Sequence, residues 1–303
     1  MSDTHSWTFD VRCAASDAAT GVAGDRNDDA YGCALQRLWV LDGATGVSPR
    51  RCTRDSSDAA WLAETAGHWL AADTRTPRST GPLAPRLLEL QRFVQDAFSW
   101  EQQQTGGTPP DDIDMPCACL GVAQIEGDHL RLACVGDINV VVAWPDGRHQ
   151  TWSDQASTAA AALTLRAWHA AREQGLRGDA LWETVRPVIL RNRETVNRPD
   201  GYRVIHPKRP WAEGVQVHHI PLIQGMRVLL ASDGLWRLVD LFNSHSALDV
   251  LQAIDTHGWP TVLTELRALE DADTGASRYA RVKHRDDATA VLAHVRHIAK
   301  PAQ

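Results

Sequence analysis

The sequence predicts an α+β fold in which antiparallel sheets are covered by pairs of helices. Short apolar runs of strand length recur at 30–35, 38–41, 117–125, 130–135, 138–144, 202–205, 215–220, 227–231 and 288–295. Helical stretches fall in pairs between these runs and do not alternate with them one for one, which argues against a βαβ series. No G-x-G-x-x-G and no G-x-x-x-x-G-K is present, so neither nucleotide-binding loop is indicated.

The first two runs, separated by Gln36-Arg37, read as a hairpin, although Gln-Arg is a poor tight-turn pair. Asp55 or Ser56 is positioned to cap a helix reaching Ala72. A Pro/Ser/Gly stretch at 77–85 breaks it, and a second helix follows over 85–104 with Leu87, Leu90, Val94, Ala97 and Phe98 on one face. Gly and Pro make 105–116 a loop. Two strands joined by Glu126-Gly127-Asp128 come next, and a third is turned by Pro145-Asp146-Gly147. Residues 155–197 are helical with a break near 175–178, and 235–269 are helical before the last strand.

At 303 residues, with no internal repeat and no linker between two self-sufficient cores, the chain reads as one domain over 1–303. Its formal net charge of −7 argues against nucleic acid as a partner, since phosphate backbones need clustered Lys and Arg. No apolar run of about 18 residues is present, so no membrane span is expected. Residues 1–10 lack a basic start followed by an apolar core, and a cytoplasmic location is the expectation. Oligomeric state is not legible. The six cysteines include no C-x-x-C, and Cys33, Cys117, Cys119 and Cys134 fall in strand-like runs, as small buried hydrophobes do. The twelve tryptophans read as packing, with Trp211 a candidate for a substrate groove. His206, His218 and His219 read as surface or core residues, and His284 as a candidate proton donor near Asp286.

The chemistry lies where strands meet aspartates. Leu38-Trp39-Val40-Leu41 runs into Asp42-Gly43, and Val228-Leu229-Leu230-Ala231 runs into Ser232-Asp233-Gly234. Asn27-Asp28-Asp29 and Asp286-Asp287 instead precede strands. In antiparallel neighbours, acids at the end of one strand and the start of the next share a sheet edge. A pair of carboxylates about 4 Å apart costs roughly 4 kcal/mol at an effective dielectric near 20. Hard divalent cations reverse that sign, and an all-oxygen donor set suits Mg²⁺ or Mn²⁺.

These residues resemble the metal-dependent protein phosphatases of type 2C, in order along nearly the whole chain. Asn27-Asp28-Asp29-Ala30 is similar to the family's N-E-D-A, Asp42-Gly43-Ala44-Thr45-Gly46 to its D-G-x-x-G, and Val135-Gly136-Asp137-Ile138 to its V-G-D-S. Leu230 to Trp236 is close to L-A-S-D-G-L-W, and Asp286-Asp287-Ala288-Thr289 resembles D-N-x-T. Residues 197–202 resemble a bacterial subset of the family.

The resemblance implies a four-layer α-β-β-α sandwich with a binuclear Mn²⁺ or Mg²⁺ centre at one end. By that likeness Asp42 bridges both ions, Gly43 offers its carbonyl, Asp28 binds the second ion, and Asp233 and Asp286 bind the first. Asp29 acts through metal-bound water, and Asp137 is a candidate ligand for a third, weaker ion. A bridging hydroxide is implied as the nucleophile on a phosphoserine or phosphothreonine of a phosphoprotein substrate. The chain departs from the family pattern at Gly24, where an arginine is common, with Arg26 the nearby substitute for binding phosphate. It also departs at Ala44, where many eukaryotic members have histidine, and at Asp28, Glu in most. The alternatives are a pseudophosphatase that binds phosphoproteins without turnover, and a metal-dependent hydrolase of another kind.

Overall fold

Side-chain alternation along the strands generates the architecture. In the computed structural model, which describes residues 5–19, 26–44, 50–74, 81–105, 111–276 and 278–299, the strands are β1 (His5–Asp17), β2 (Ala30–Ala34), β3 (Arg37–Ala44), β4 (Cys117–Glu126) and β5 (His129–Val135). They continue with β6 (Asn139–Ala143), β7 (His149–Trp152), β8 (Val217–Pro221), β9 (Arg227–Ala231) and β10 (Ala288–Ala299). The helices are α1 (Asp58–Asp73), α2 (Leu83–Thr105), α3 (Gln155–Glu173), α4 (Gly178–Glu194), α5 (Asp233–Asp240), α6 (Ala247–His257) and α7 (Trp259–Ala272). One sheet has the order β1-β10-β9-β6-β7 and the other β2-β3-β4-β5-β8, and every pairing between strands is antiparallel.

Leu38 and Val40 of β3 join Val140, Leu230 and Val291 of the other sheet in one shared core. The intervening Trp39 and Leu41 instead pack on Leu62 and Leu70 of α1 and Leu90 of α2. On the other sheet Leu229 and Leu292 pack on Leu235, Leu251 and Leu266 of α5, α6 and α7. Both faces of each sheet are therefore covered, which is why these strands read as continuous apolar runs. The result is the expected layering of helices, sheet, sheet and helices. Helices α3 and α4 stand apart and pack on each other and on Ala280 through Trp168 and Val185.

Several local expectations need correction. The longest strand, β1, carries no clear period because a bulge between Val11 and Cys13 changes its parity. Trp7 and Phe9 before it and Ala14 after it face the inter-sheet core, whereas Cys13 faces the helices. Strand β7 is a short polar edge with nothing apolar to announce it. The run at 202–205 is not a strand but a single bridge from Ile205 to Ala118. Ser57, not Asp55 or Ser56, caps α1 by accepting from the Ala60 N–H. Cys33 is exposed on β2, while Cys117 and Cys119 are buried, and all six thiols are free. Trp211 is fully buried against Leu62 and Leu87 and lines no groove. Among the described residues no helix is long and apolar enough to cross a membrane.

A buried ion triad ties the first helix pair to its sheet. Asp73 at the end of α1 accepts from Arg37 Nη1 at 2.6 Å and pairs with Arg86 of α2, and Arg37 also donates to Gln124 of β4. All three charged side chains are nearly inaccessible, and burial together with Arg86 lowers the Arg37 guanidinium to about 10. Asp73→Ala removes the carboxylate that two buried guanidiniums share and is expected to lower unfolding free energy in urea by about 3–5 kcal/mol; a loss below about 1 kcal/mol would contradict this role.

Candidate metal centre

The register of the sheets gathers the aspartates. In the hairpin Ala30 pairs with Leu41, so Asp29 before β2 and Asp42 near the end of β3 share an edge. Asp42 pairs with Cys119 of β4, Leu120 pairs with Val135 of β5, and Asp137 follows two residues later. In the other sheet Ala290 of β10 pairs with Ala231 of β9, so Asp286 before β10 and Asp233 after β9 meet at the corresponding edge. The two edges lie together: Asp42 is repelled by Asp233, Asp29, Asp137 and Asp286, and these five acids come from five separate segments.

The glycines beside these acids have a steric reason. A Cβ on Gly43 would stand 2.5 Å from the Asp28 carbonyl oxygen, which the Gly43 N–H already engages at 3.1 Å. A Cβ on Gly234 would overlap the Asp287 carbonyl oxygen. Each Asp-Gly pair thus admits the backbone of the acidic segment that starts the neighbouring strand. Gly136, with φ of +80°, turns the chain toward Asp137 where a side chain would collide with Cys119.

The two adjacent aspartates have different surroundings. Asp29 is buried and accepts from Thr289 Oγ1 at 2.5 Å. With Thr289 donating there, Ser16 donates to Thr289 at 2.6 Å and Asn27 Nδ2 donates to Ser16 at 2.7 Å, a chain that fixes every hydroxyl proton. The Asp28 carboxylate accepts from Ser57, the cap of α1. Asp287, to which the sequence assigns no role, accepts from the N–H groups of Ala19 and Asp28, both at 2.7 Å, and so ties the end of β1 to the segment before β2.

Two cations from the chain itself enter the cluster. Arg237 of α5 donates to Asp286 Oδ2 at 2.8 Å and to Glu270 Oε1 at 2.7 Å, and Lys283 donates to Asp286 Oδ1 at 2.8 Å. Arg267 of α7 supports the Asp286 carbonyl at 2.9 Å. Arg237 and Lys283 lie next to motif aspartates in sequence, but nothing in apolar patterning singles them out. Arg26 is held by Asp55 and by Glu64 at 2.6 Å. Arg193 of α4 reaches the Ala44 carbonyl, one residue beyond Gly43, at 3.4 Å. His284 pairs with Asp271 at 3.3 Å. Burial holds His206 down at about 4, and its Nδ1 accepts from the N–H groups of Lys208 and Arg209. Gly24, Thr45 and Gly46 lie outside the described residues.

The crowding shows in the acidities. Burial first, then Asp233 and its neighbours, raises Asp42 well above the usual carboxylate range, and burial with Asp287 and Asp233 does the same to Asp29. Asp137 is raised by burial and by Asp286. Asp233 is exposed to solvent, yet the protein packed around it and then Asp286 and Asp137 push it up to about 7. That solvent access screens part of the repulsion at Asp233. A set of oxygen donors carrying this much unbalanced negative charge fits hard divalent cations. Among the described residues no three side chains already close around one point, and both Asp286 oxygens are engaged by Arg237 and Lys283. Binding a cation there requires side-chain rearrangement.

Comparison with known proteins bears on the family and the fold. A family model described as protein phosphatase 2C matches residues 19–266. No curated protein sequence matches the chain. Among solved structures, the serine/threonine phosphatase PstP of Mycobacterium tuberculosis is similar at 16% identity and TM-score 0.54, covering 96% of this chain and 98% of that one. The PstP catalytic domain in complex with two manganese ions is similar at 17% identity and TM-score 0.54, covering 96% and 100%. PppA of Pseudomonas aeruginosa is similar at 15% identity and TM-score 0.50, covering 97% and 100%. At these identities the likeness to the solved structures is one of fold.

The raised acidities dictate a pH response. A carboxyl at about 4 when unfolded and about 7 when folded makes the folded state bind more protons between those values, so its contribution to stability falls as pH rises. The metal-free protein, melted in chelator, is expected to unfold at lower temperature near pH 8 than near pH 5.5, with a smaller difference in Asp233→Asn. A flat or rising profile would contradict the crowding.

Proposed function

The chain belongs to the protein phosphatase 2C family, and we propose that it is an active metal-dependent phosphomonoesterase acting on phosphoserine and phosphothreonine of proteins. The observation that carries this reading is the convergence of Asp29, Asp42, Asp137, Asp233 and Asp286 on one edge of two sheets. In this reading Asp42, Asp233 and Asp286 hold the principal cations, with Asp28, Asp29 and the Gly43 carbonyl completing the set and Asp137 serving a third ion. Manganese or magnesium, when bound, would supply activation of water and stabilisation of the charge that develops on the phosphoryl group.

The residues of the chain do the positioning. The hydroxyl chain from Asn27 through Ser16 and Thr289 orients Asp29, and the Asp287 clamp holds the segment that carries Asp28. Arg237, anchored on Glu270, aims Asp286. The acid cluster, only partly offset by Arg237 and Lys283, repels a phosphomonoester dianion, so substrate binding depends on the added cations. A substrate role for Arg26 requires its pairs with Asp55 and Glu64 to open. The pseudophosphatase alternative finds no support, because the acidic set it would dispense with is intact.

Hydrolysis of p-nitrophenyl phosphate and of a phosphothreonine peptide is expected with Mn²⁺ or Mg²⁺ and to stop on chelation. Asp233→Asn is expected to lower kcat/KM by at least about 100-fold. Folded wild-type protein that turns over neither substrate with either metal would overturn the proposal.

A further inference from the structure

Both carboxylate oxygens of Asp286 already accept from cations of the chain, and although each keeps a second lone pair, a divalent ion drawn to that carboxylate is repelled by both cations and competes with them. The two cations are not equally easy to move. Arg237 is 11% exposed and is fixed at its other edge to Glu270, which is wholly buried and also paired with Arg267. Withdrawing Arg237 would weaken the pairing of a buried carboxylate, a large penalty. Lys283 is 43% exposed, lies in the irregular segment before β10, and is joined to Asp286 Oδ1 at 2.8 Å. Its flexible four-carbon stem carries a strongly hydrated ammonium that can return to solvent. Its charge also acts on Asp233 and Asp42, two of the other acids at this edge.

We propose that Lys283 is a built-in, exchangeable counter-ion of the aspartate cluster, which holds Asp286 in the metal-free protein and withdraws when a divalent cation binds. This rests on the metal-centre reading above. Lys283 therefore competes with metal and sets its affinity, while Arg237 remains in place and keeps Asp286 aimed. The proposal differs from a purely structural role in sign. Removing the ammonium weakens the metal-free fold and strengthens metal binding, whereas a lysine that merely props Asp286 would weaken both.

The test is Mn²⁺ titration calorimetry on the full chain, paired with thermal melts in chelator, for wild type, Lys283→Gln and Lys283→Arg. The side chain is exposed enough for both substitutions to be compatible with folding. Lys283→Gln is expected to bind Mn²⁺ about three- to fivefold more tightly, the range an exposed ion pair allows, and to melt about 1–1.5 °C lower in chelator. Lys283→Arg, which keeps the charge, is expected to stay within about twofold of wild type on the same scale. Equal or weaker Mn²⁺ binding by Lys283→Gln would overturn the inference. Wild-type protein that binds no Mn²⁺ would overturn the metal-centre reading itself, a failure seen before any variant is compared.

Discussion

Mutual repulsion among carboxylates that the fold holds at one edge of two sheets is the constraint around which this molecule is organised. Asp29, Asp42, Asp137, Asp233 and Asp286 come from five segments, and desolvation and proximity disfavour the charged forms of Asp29, Asp42, Asp137 and Asp233. Arg237 and Lys283 offset part of that charge at Asp286, and Arg237 is shared with Glu270. The remainder makes the edge costly to the fold unless further cations offset it. Stability is supplied elsewhere, by the inter-sheet core, by the helices on both outer faces and by the Arg37–Asp73–Arg86 triad.

The cluster persists because its backbone is fixed independently of its charges. Asp287 accepts N–H groups from Ala19 and Asp28, Gly43 donates to the Asp28 carbonyl, and Ser232 and Thr289 bond each other in both directions between the end of β9 and the start of β10. The acidic segments are thus stitched to one another by backbone and hydroxyl hydrogen bonds and by the Asp287 carboxylate, whose bonds are charge-assisted. The bonds between neutral groups keep their strength whatever the charge state of the carboxylates beside them. Rigid backbone and adjustable side chains are the combination a centre needs if its own cations must give way to others.

Much of this was legible in the residues. Strand followed by Asp-Gly, and paired acids followed by strand, identified the edge and its members, because antiparallel pairing converts that polarity into proximity. The physical reason for the glycines was legible only in part: their freedom was expected to serve a ligand, whereas Gly43 and Gly234 make room for the carbonyls of Asp28 and Asp287. Strand β1 was hidden by its bulge and β7 by its polarity. The partners of the acids were hidden as well. Arg237, Lys283 and Asp287 act through contacts that join residues far apart in the chain or across a turn, and no periodicity records such contacts.

Anomalous diffraction from crystals soaked in Mn²⁺ tests the central claim most directly. Manganese peaks flanked by Asp42, Asp233 and Asp286 are the predicted result. Well-ordered crystals in which those three side chains diverge, or in which manganese occupies other parts of the surface and leaves this edge empty, would contradict it.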